Sequence, residues 1–145
     1  SFWSIELRLN GFLPVLGLVC ALSACGPSKP LIKPGPAIPG INLSGRWFSK
    51  DFGEMTIVHA GQDIKGDYAD PRGPEHNGGF RGTLIGDLIK LQWIKPGKRE
   101  AAVMLKRGRA YLRVTERGQK LIGRWGYDDS EDDGGPWRAE KSTSD

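Results

Sequence analysis

The segment MTIVHAGQDIKGDY, residues 55–68, has a near repeat in YLRVTERGQKLIGRW, residues 111–125. In both segments, two runs of alternating apolar and polar residues flank a turn signal, Gly61-Gln62 in one and Gly118-Gln119 in the other. Alternation with a period of two is typical of a strand that buries one face. A glycine between two such runs predicts a β-hairpin. The sequence therefore predicts two hairpins of one design.

Each segment also carries a glycine on its apolar face, directly before an aromatic residue of that face. Gly66 precedes Tyr68, and Gly123 precedes Trp125. A missing side chain at such a position relieves crowding and permits a strongly coiled strand. We expect these two glycines to lie where the interior of the fold is crowded.

The rest of the chain from Ile41 onward continues the pattern, with turn signals about every 8–12 residues. A third clear run places Ile89, Leu91 and Trp93 on one face, opposite Lys90 and Gln92. The pattern predicts an all-β fold, a single antiparallel up-and-down meander of about eight short strands. Closure into a small barrel would remove the unpaired edge strands that invite aggregation.

Composition agrees with a turn-rich β-protein and restricts the partners. The chain has 145 residues, with 21 glycines, 10 prolines and a formal net charge of +4. The basic residues are scattered along the predicted strands, so the sequence gives no support to nucleic-acid binding. The two cysteines, Cys20 and Cys25, lie in or beside the N-terminal apolar run, which leaves no disulfide framework for the predicted domain.

The N-terminal run GFLPVLGLVCAL, residues 11–22, follows a positive charge at Arg8 and has the length of a signal peptide. The next residues, Leu22-Ser23-Ala24-Cys25, closely resemble the bacterial lipobox. The resemblance implies that residues 1–24 are removed and that Cys25 carries the lipid, so the partner would be a membrane bound through covalent lipid. It also implies a place in the cell envelope. In having Gly26, and not Asp, directly after the cysteine, the chain resembles lipoproteins that are sorted to the outer membrane.

Residues 25–40 form the predicted tether between Cys25 and a β-domain at 41–145. The stretch GPSKPLIKPGPAIPG, residues 26–40, contains five prolines and favours extended polyproline II, with a reach of about 40 Å. The alternative is a proline-rich ligand for another protein module.

Gly45-Arg46-Trp47 at the first predicted strand resembles the G-x-W signature of lipocalins, and the meander is similar to lipocalin-like and avidin-like barrels. The resemblance implies an apolar interior that holds a small hydrophobic ligand. We expect this interior to be lined by residues that include Trp47, Tyr68, Phe80, Leu91, Trp93 and Trp125, together with Ile57, Leu84, Leu105 and Leu112. The alternative is that these large side chains simply fill a narrow barrel.

Candidate chemistry outside the interior is sparse. Asp129, Glu131, Asp133 and Glu140, with Gly134, follow the spacing of a Ca²⁺-binding loop, whose alternative is a solvated hairpin loop. His59, and His76 beside Glu75, are the histidines available for proton transfer or metal binding. No nucleophile elbow accompanies them, so we predict no catalytic residue and no cofactor.

Taken together, these features predict a membrane-anchored, non-enzymatic β-barrel that binds a small apolar ligand or an envelope component. The alternative is an inhibitor of a hydrolase or peptidase, or an accessory subunit of an envelope complex, that acts through surface loops. The loop DPRGPEHNGG, residues 70–79, is the candidate loop for that role.

Overall fold

A computed structural model describes residues 31–95 and 106–143 of the chain. Cys25 and the predicted signal peptide therefore lie outside the described residues, as does Leu105. Within residues 31–95 and 106–143, no helix combines the length and apolar character needed to span a membrane.

Eight antiparallel strands follow one another in meander order and close into a barrel, as the sequence predicts. The strands are β1 (Gly45–Ser49), β2 (Gly53–Ala60), β3 (Asp63–Ala69), β4 (Gly78–Ile85), β5 (Leu88–Lys95), β6 (Lys106–Thr115), β7 (Lys120–Tyr127) and β8 (Gly135–Lys141). Short 3₁₀ turns at Pro74–His76 and Glu116–Gly118 complete the regular structure of the described residues.

The two related segments form the β2–β3 and β6–β7 hairpins, which confirms the prediction of a shared design. Their turns differ in backbone conformation. The first uses Gly61 at φ 64°, whereas the second places Glu116 and Arg117 at φ 51° and 54° before Gly118. Left-handed residues match the twist of a tight hairpin, so the second turn accepts strained non-glycine residues to close.

Gly66 and Gly123 are crowded, as expected. A Cβ atom at Gly66 would lie 2.6 Å from the carbonyl oxygen of Thr56 and would overlap the Phe80 ring, and one at Gly123 would overlap the carbonyl oxygen of Tyr111. Side chains at these inward positions would force the neighbouring strand away. The two glycines therefore permit the tight curvature of the barrel wall.

One continuous apolar core fills the barrel. It contains most of the predicted interior residues, and it also contains Leu43, Met55 and Trp137, which were not among the predicted ones. Trp137 and Leu43 are at most 1% exposed.

Residues 33–43 cross one end of the barrel, so the tether and the domain meet earlier than the predicted boundary at residue 41. The compact unit begins at Lys33. Ile38 and Ile41 pack on the core, and the Gly35 N–H donates to Asp87 Oδ1 at 2.7 Å. Prolines favour an extended chain but do not prevent the isoleucines between them from burying apolar surface.

Closure of the barrel joins β1 to β8 through Trp47↔Lys141, Phe48↔Glu140 and Ser49↔Ala139. A salt bridge ties the β1–β2 turn to β8, because Arg138 Nη2 lies 2.8 Å from Asp51 Oδ1 and the Arg138 N–H donates to Asp51 Oδ2. Burial favours the neutral form of Asp51, but the hydrogen bonds from Arg138 outweigh it and lower the pKa of Asp51.

Candidate functional site

The predicted ligand-binding residues lie inside the barrel, where they pack against one another. Trp47, Tyr68, Phe80, Leu91 and Trp93 are buried, and Trp125 is half-buried against the same core. The ring centroids of Trp93 and Trp125 are 5.7 Å apart, in an edge-to-face arrangement. These contacts support the alternative in which large side chains fill a narrow barrel.

Phe52, on the β1–β2 turn, closes the end of the barrel opposite residues 33–43. Its ring centroid lies 5.0 Å from Trp137 and 5.5 Å from Tyr68. The sequence of Asp51-Phe52-Gly53 predicts a turn and no more. A large aromatic residue within a turn signal is the sequence feature that could have indicated a turn with a buried side chain.

The interior polar groups mainly support the fold. Trp47 Nε1 donates to the Leu43 carbonyl at 2.8 Å, and Trp93 Nε1 donates to that of Gly126 at 3.0 Å. Trp137 Nε1 has no hydrogen-bond partner among the described residues. Burial is the main cause that raises the pKa of Tyr68 to about 12, so its phenol is neutral at physiological pH.

The four residues of the predicted Ca²⁺ loop do not come together. Glu131 pairs with Lys90 at 2.7 Å, Asp129 lies 3.5 Å from Arg109, and Glu140 is on β8, 3.8 Å from Lys120. Asp133 Oδ1 instead accepts the N–H of Tyr127. The described residues contain no group of three or more side chains suited to a metal ion.

Both histidines have local partners. His59 Nδ1 accepts the N–H of Leu43 at 3.1 Å, which leaves Nε2 to donate to the Gly61 carbonyl at 2.9 Å. His59 therefore fastens the entry into β1 to the β2–β3 turn. His76 Nε2 lies 4.0 Å from Glu75 Oε2 in the 70–79 loop.

The 70–79 loop is organised around Asp70. The buried carboxylate accepts hydrogen bonds from the backbone and the guanidinium of Arg72, at 2.8 to 2.9 Å. The side chain of Asn77 accepts the N–H of Asp70. The hydrogen bonds from Arg72 hold the pKa of Asp70 at about 2, against the opposing effect of burial.

The outer face of β3 to β6 carries a feature that no sequence motif indicated. Strand register places Lys65 opposite Arg81, Arg81 opposite Gln92, and Gln92 opposite Arg109. All four side chains point outward and are exposed. We call these residues the cationic row. Lys65 and Arg81 have no hydrogen-bond or ion-pair partner in the described part of the chain. Like charges that lie directly opposite each other on neighbouring strands repel, so this pair is unfavourable.

The cationic row lies in a depression of about 1150 Å³ on the outer surface, between Val58 and the start of the 128–133 loop. Gly79 forms part of its floor, because the absent side chain leaves a gap between Asp67 on β3 and Ile94 on β5. A Cβ atom at Gly79 would have its nearest contact at 3.4 Å. Arg107 adds a further cation, whereas Asp67, Asp128 and Asp129 contribute carboxylates at the margins.

The acidic loop, which we define as residues 128–133, folds back over the outer surface beside this depression. Glu131 contacts Lys90 on β5, Asp129 contacts Arg109 on β6, and the Asp132 carbonyl accepts from Arg124 on β7. Three neighbouring strands thus direct cations at one anionic segment. The surface already binds oxyanions of its own chain, and Lys65 and Arg81 extend it beyond the loop.

The sequence could not reveal the cationic row, because its three cations are separated by 16 residues or more along the chain and meet only through strand register. Comparisons of the chain with protein families, with curated proteins and with solved structures found no match.

Proposed function

We propose that the protein is a non-enzymatic binding protein of the bacterial cell envelope, which takes an anionic envelope component on the outer face of β3 to β6. The cationic row carries this proposal. Opposed cations without partners lower the stability of a sheet, and an anionic ligand would relieve their repulsion.

The surface supports binding better than the interior does. Edge-to-face rings occupy the interior, and residues 33–43 and Phe52 lie over its two ends. A small apolar ligand would have to displace these groups. The outer depression is accessible without any rearrangement.

Anchoring belongs to the same proposal. Lipid attached at Cys25 would hold the barrel near an envelope membrane, on the outer membrane in a cell that has two, where a weak interaction gains from a high local concentration. Mass spectrometry of the mature N-terminal peptide tests the anchor, since the proposal requires diacylglyceryl modification of Cys25, and an unmodified thiol would refute this part.

Retention of the full chain on immobilised dextran sulfate tests anion binding by the row. We expect K65Q/R81Q to elute at clearly lower salt than the wild type. K50Q/K120Q removes the same two charges outside the depression and should elute close to the wild type, apart from the small shift due to net charge. Equal shifts for the two double variants would contradict a specific surface.

A second candidate function is inhibition of a hydrolase or peptidase by the 70–79 loop, because its internal hydrogen bonds preorganise it for insertion. D70N would loosen the loop and weaken capture of a target enzyme while leaving binding to dextran sulfate unchanged. If D70N also lost its binding to dextran sulfate, the effect of the substitution would not be confined to the 70–79 loop, and the variant would not support the inhibitor role.

A further inference from the structure

We infer that the ligand of the cationic row is a linear chain of phosphate groups, which lies across β3 to β6 and displaces Asp129 from Arg109. This inference rests on the proposed function and specifies the ligand class and the competitor at the same surface.

The direction of the row indicates a chain. Lys65, Arg81, Gln92 and Arg109 occupy four consecutive strands, so the row runs perpendicular to the strands. With neighbouring strands about 4.8 Å apart, its ends are about 14 Å apart. A single phosphate is too small to contact both ends. A chain of phosphates can contact Lys65, Arg81 and Arg109 at once.

The side chains of the row suit phosphate oxygens. The guanidinium groups of Arg81 and Arg109 can each donate paired hydrogen bonds to an oxyanion, and the Gln92 amide adds a neutral donor between them. Asp67 lies in the adjacent row beside Gly79. The chain therefore follows the cationic row and not that neighbour.

The shape of the surface argues against two other anionic partners. The aromatic residues that line the depression, Phe80 and Trp93, are 7% and 5% exposed, so they offer no platform for stacking nucleobases. Gly79 places the floor of the depression below the surrounding side chains. A recess of this kind receives a protruding chain more readily than the flat surface of a membrane.

The acidic loop shows which contact would give way. Glu131 holds Lys90 with both carboxylate oxygens, at 2.7 and 2.9 Å. Asp129 is 3.5 Å from Arg109, and its side chain is 96% exposed. An exposed ion pair of this kind contributes little stability. A phosphate chain that reaches Arg109 would therefore replace Asp129 while Glu131 keeps the loop in place.

Isothermal titration of the full chain with orthophosphate and with inorganic polyphosphates of increasing length tests the inference. We expect affinity to rise with chain length until the row is spanned, and to fall as salt is added. R81Q should bind polyphosphate about five-fold more weakly, and D129N more tightly by a similar factor. The matched variant K120Q removes a cation outside the depression and should bind like the wild type.

The variant G79L tests the recess without changing charge. Its side chain has room at the backbone but fills the floor, so we expect weaker polyphosphate binding at an unchanged melting temperature. If G79L fails to fold, R81Q and D129N still decide the question, because both change only exposed side chains.

The possible results distinguish this inference from the proposed function. Vesicles that contain phosphatidylglycerol could bind the protein, with weaker binding by R81Q, while polyphosphate does not bind. In that case the phosphate-chain ligand is wrong, but an anionic partner on this surface remains supported. If affinity does not depend on the length of the polyphosphate, a linear chain of phosphates is not the ligand. If D129N binds polyphosphate less tightly than the wild type, Asp129 is not its competitor. If neither polyphosphate nor vesicles bind, and K65Q/R81Q elutes from dextran sulfate like K50Q/K120Q, both proposals fail.

Discussion

At the scale of single residues, two glycines control the curvature of the barrel. G66A would place a methyl group against the Thr56 carbonyl and the Phe80 ring. We expect it to lower the free energy of unfolding by about 1–3 kcal/mol, the usual cost of overpacking. Chemical denaturation measures this loss. G79A lies on the neighbouring strand and faces outward, where a Cβ atom would have its nearest contact at 3.4 Å, so it should stay within about 0.5 kcal/mol of the wild type. Equal losses in the two variants would show that the crowding at Gly66 is not the cause of the destabilisation.

Asp70 gives the fold a defined response to acid. Its pKa is about 2 in the folded chain, below its ordinary value of 3.8, because Arg72 hydrogen-bonds the charged form. A lowered pKa contributes stability above pH 3.8 that is lost as the pH falls toward 2. We therefore expect the melting temperature of the wild type to fall across this range more steeply than that of D70N. Parallel melting curves for the two proteins against pH would rule out this role of Asp70.

At the scale of elements, the segment 33–43 is held to the barrel by Asp87. This carboxylate accepts both the Gly35 N–H and the Arg113 guanidinium at 2.7 Å, and Arg113 also donates to the Lys33 carbonyl. D87A should release residues 33–36 while Ile41 and Leu43 remain packed. Hydrogen exchange should then be faster at Gly35, with little change in β5 or β6. Unchanged exchange at Gly35 would mean that apolar packing alone holds the segment.

The strands were predictable because their signals are local. Alternation and turn residues fix which face of a strand is buried, and the repeat at residues 55–68 and 111–125 identified two hairpins. The inward positions of Gly66 and Gly123 followed from the same alternation. The predicted boundary at residue 41 missed the packed part of the tether, because its prolines hide the spacing of Ile38 and Ile41.

The candidate site was less predictable because it depends on register between strands. Lys65, Arg81 and Arg109 each have the sequence pattern of an ordinary outward residue of a strand. Only the pairing of four strands brings them into one row. The interior aromatic residues were found because burial is encoded in alternation, whereas Trp137 was missed because Pro136 and two glycines obscure the β8 pattern.

At the scale of the whole molecule, the pairing of β1 with β8 closes the sheet through three residue pairs. It is shorter than the other pairings, and Asp51 and Arg138 clamp one side of it. We expect amides of β1 and β8 that face each other to exchange faster than those between β5 and β6. D51N should accelerate this exchange further. Uniform protection around the barrel would contradict a weak seam.

The barrel therefore combines a filled interior with an outer surface that gathers cations from separate parts of the chain. The acidic loop lies at the edge of this surface, where Asp129 and Glu131 pair with Arg109 and Lys90.

The most direct test of the central claim is an NMR titration of the full chain with inorganic polyphosphate. We predict the largest shifts at the amides of Lys65, Arg81, Gln92 and Arg109, with smaller ones at Asp129, while the indole N–H signals of Trp47 and Trp137 stay in place. Shifts concentrated at the interior indoles, or no shifts at the cationic row, would contradict it.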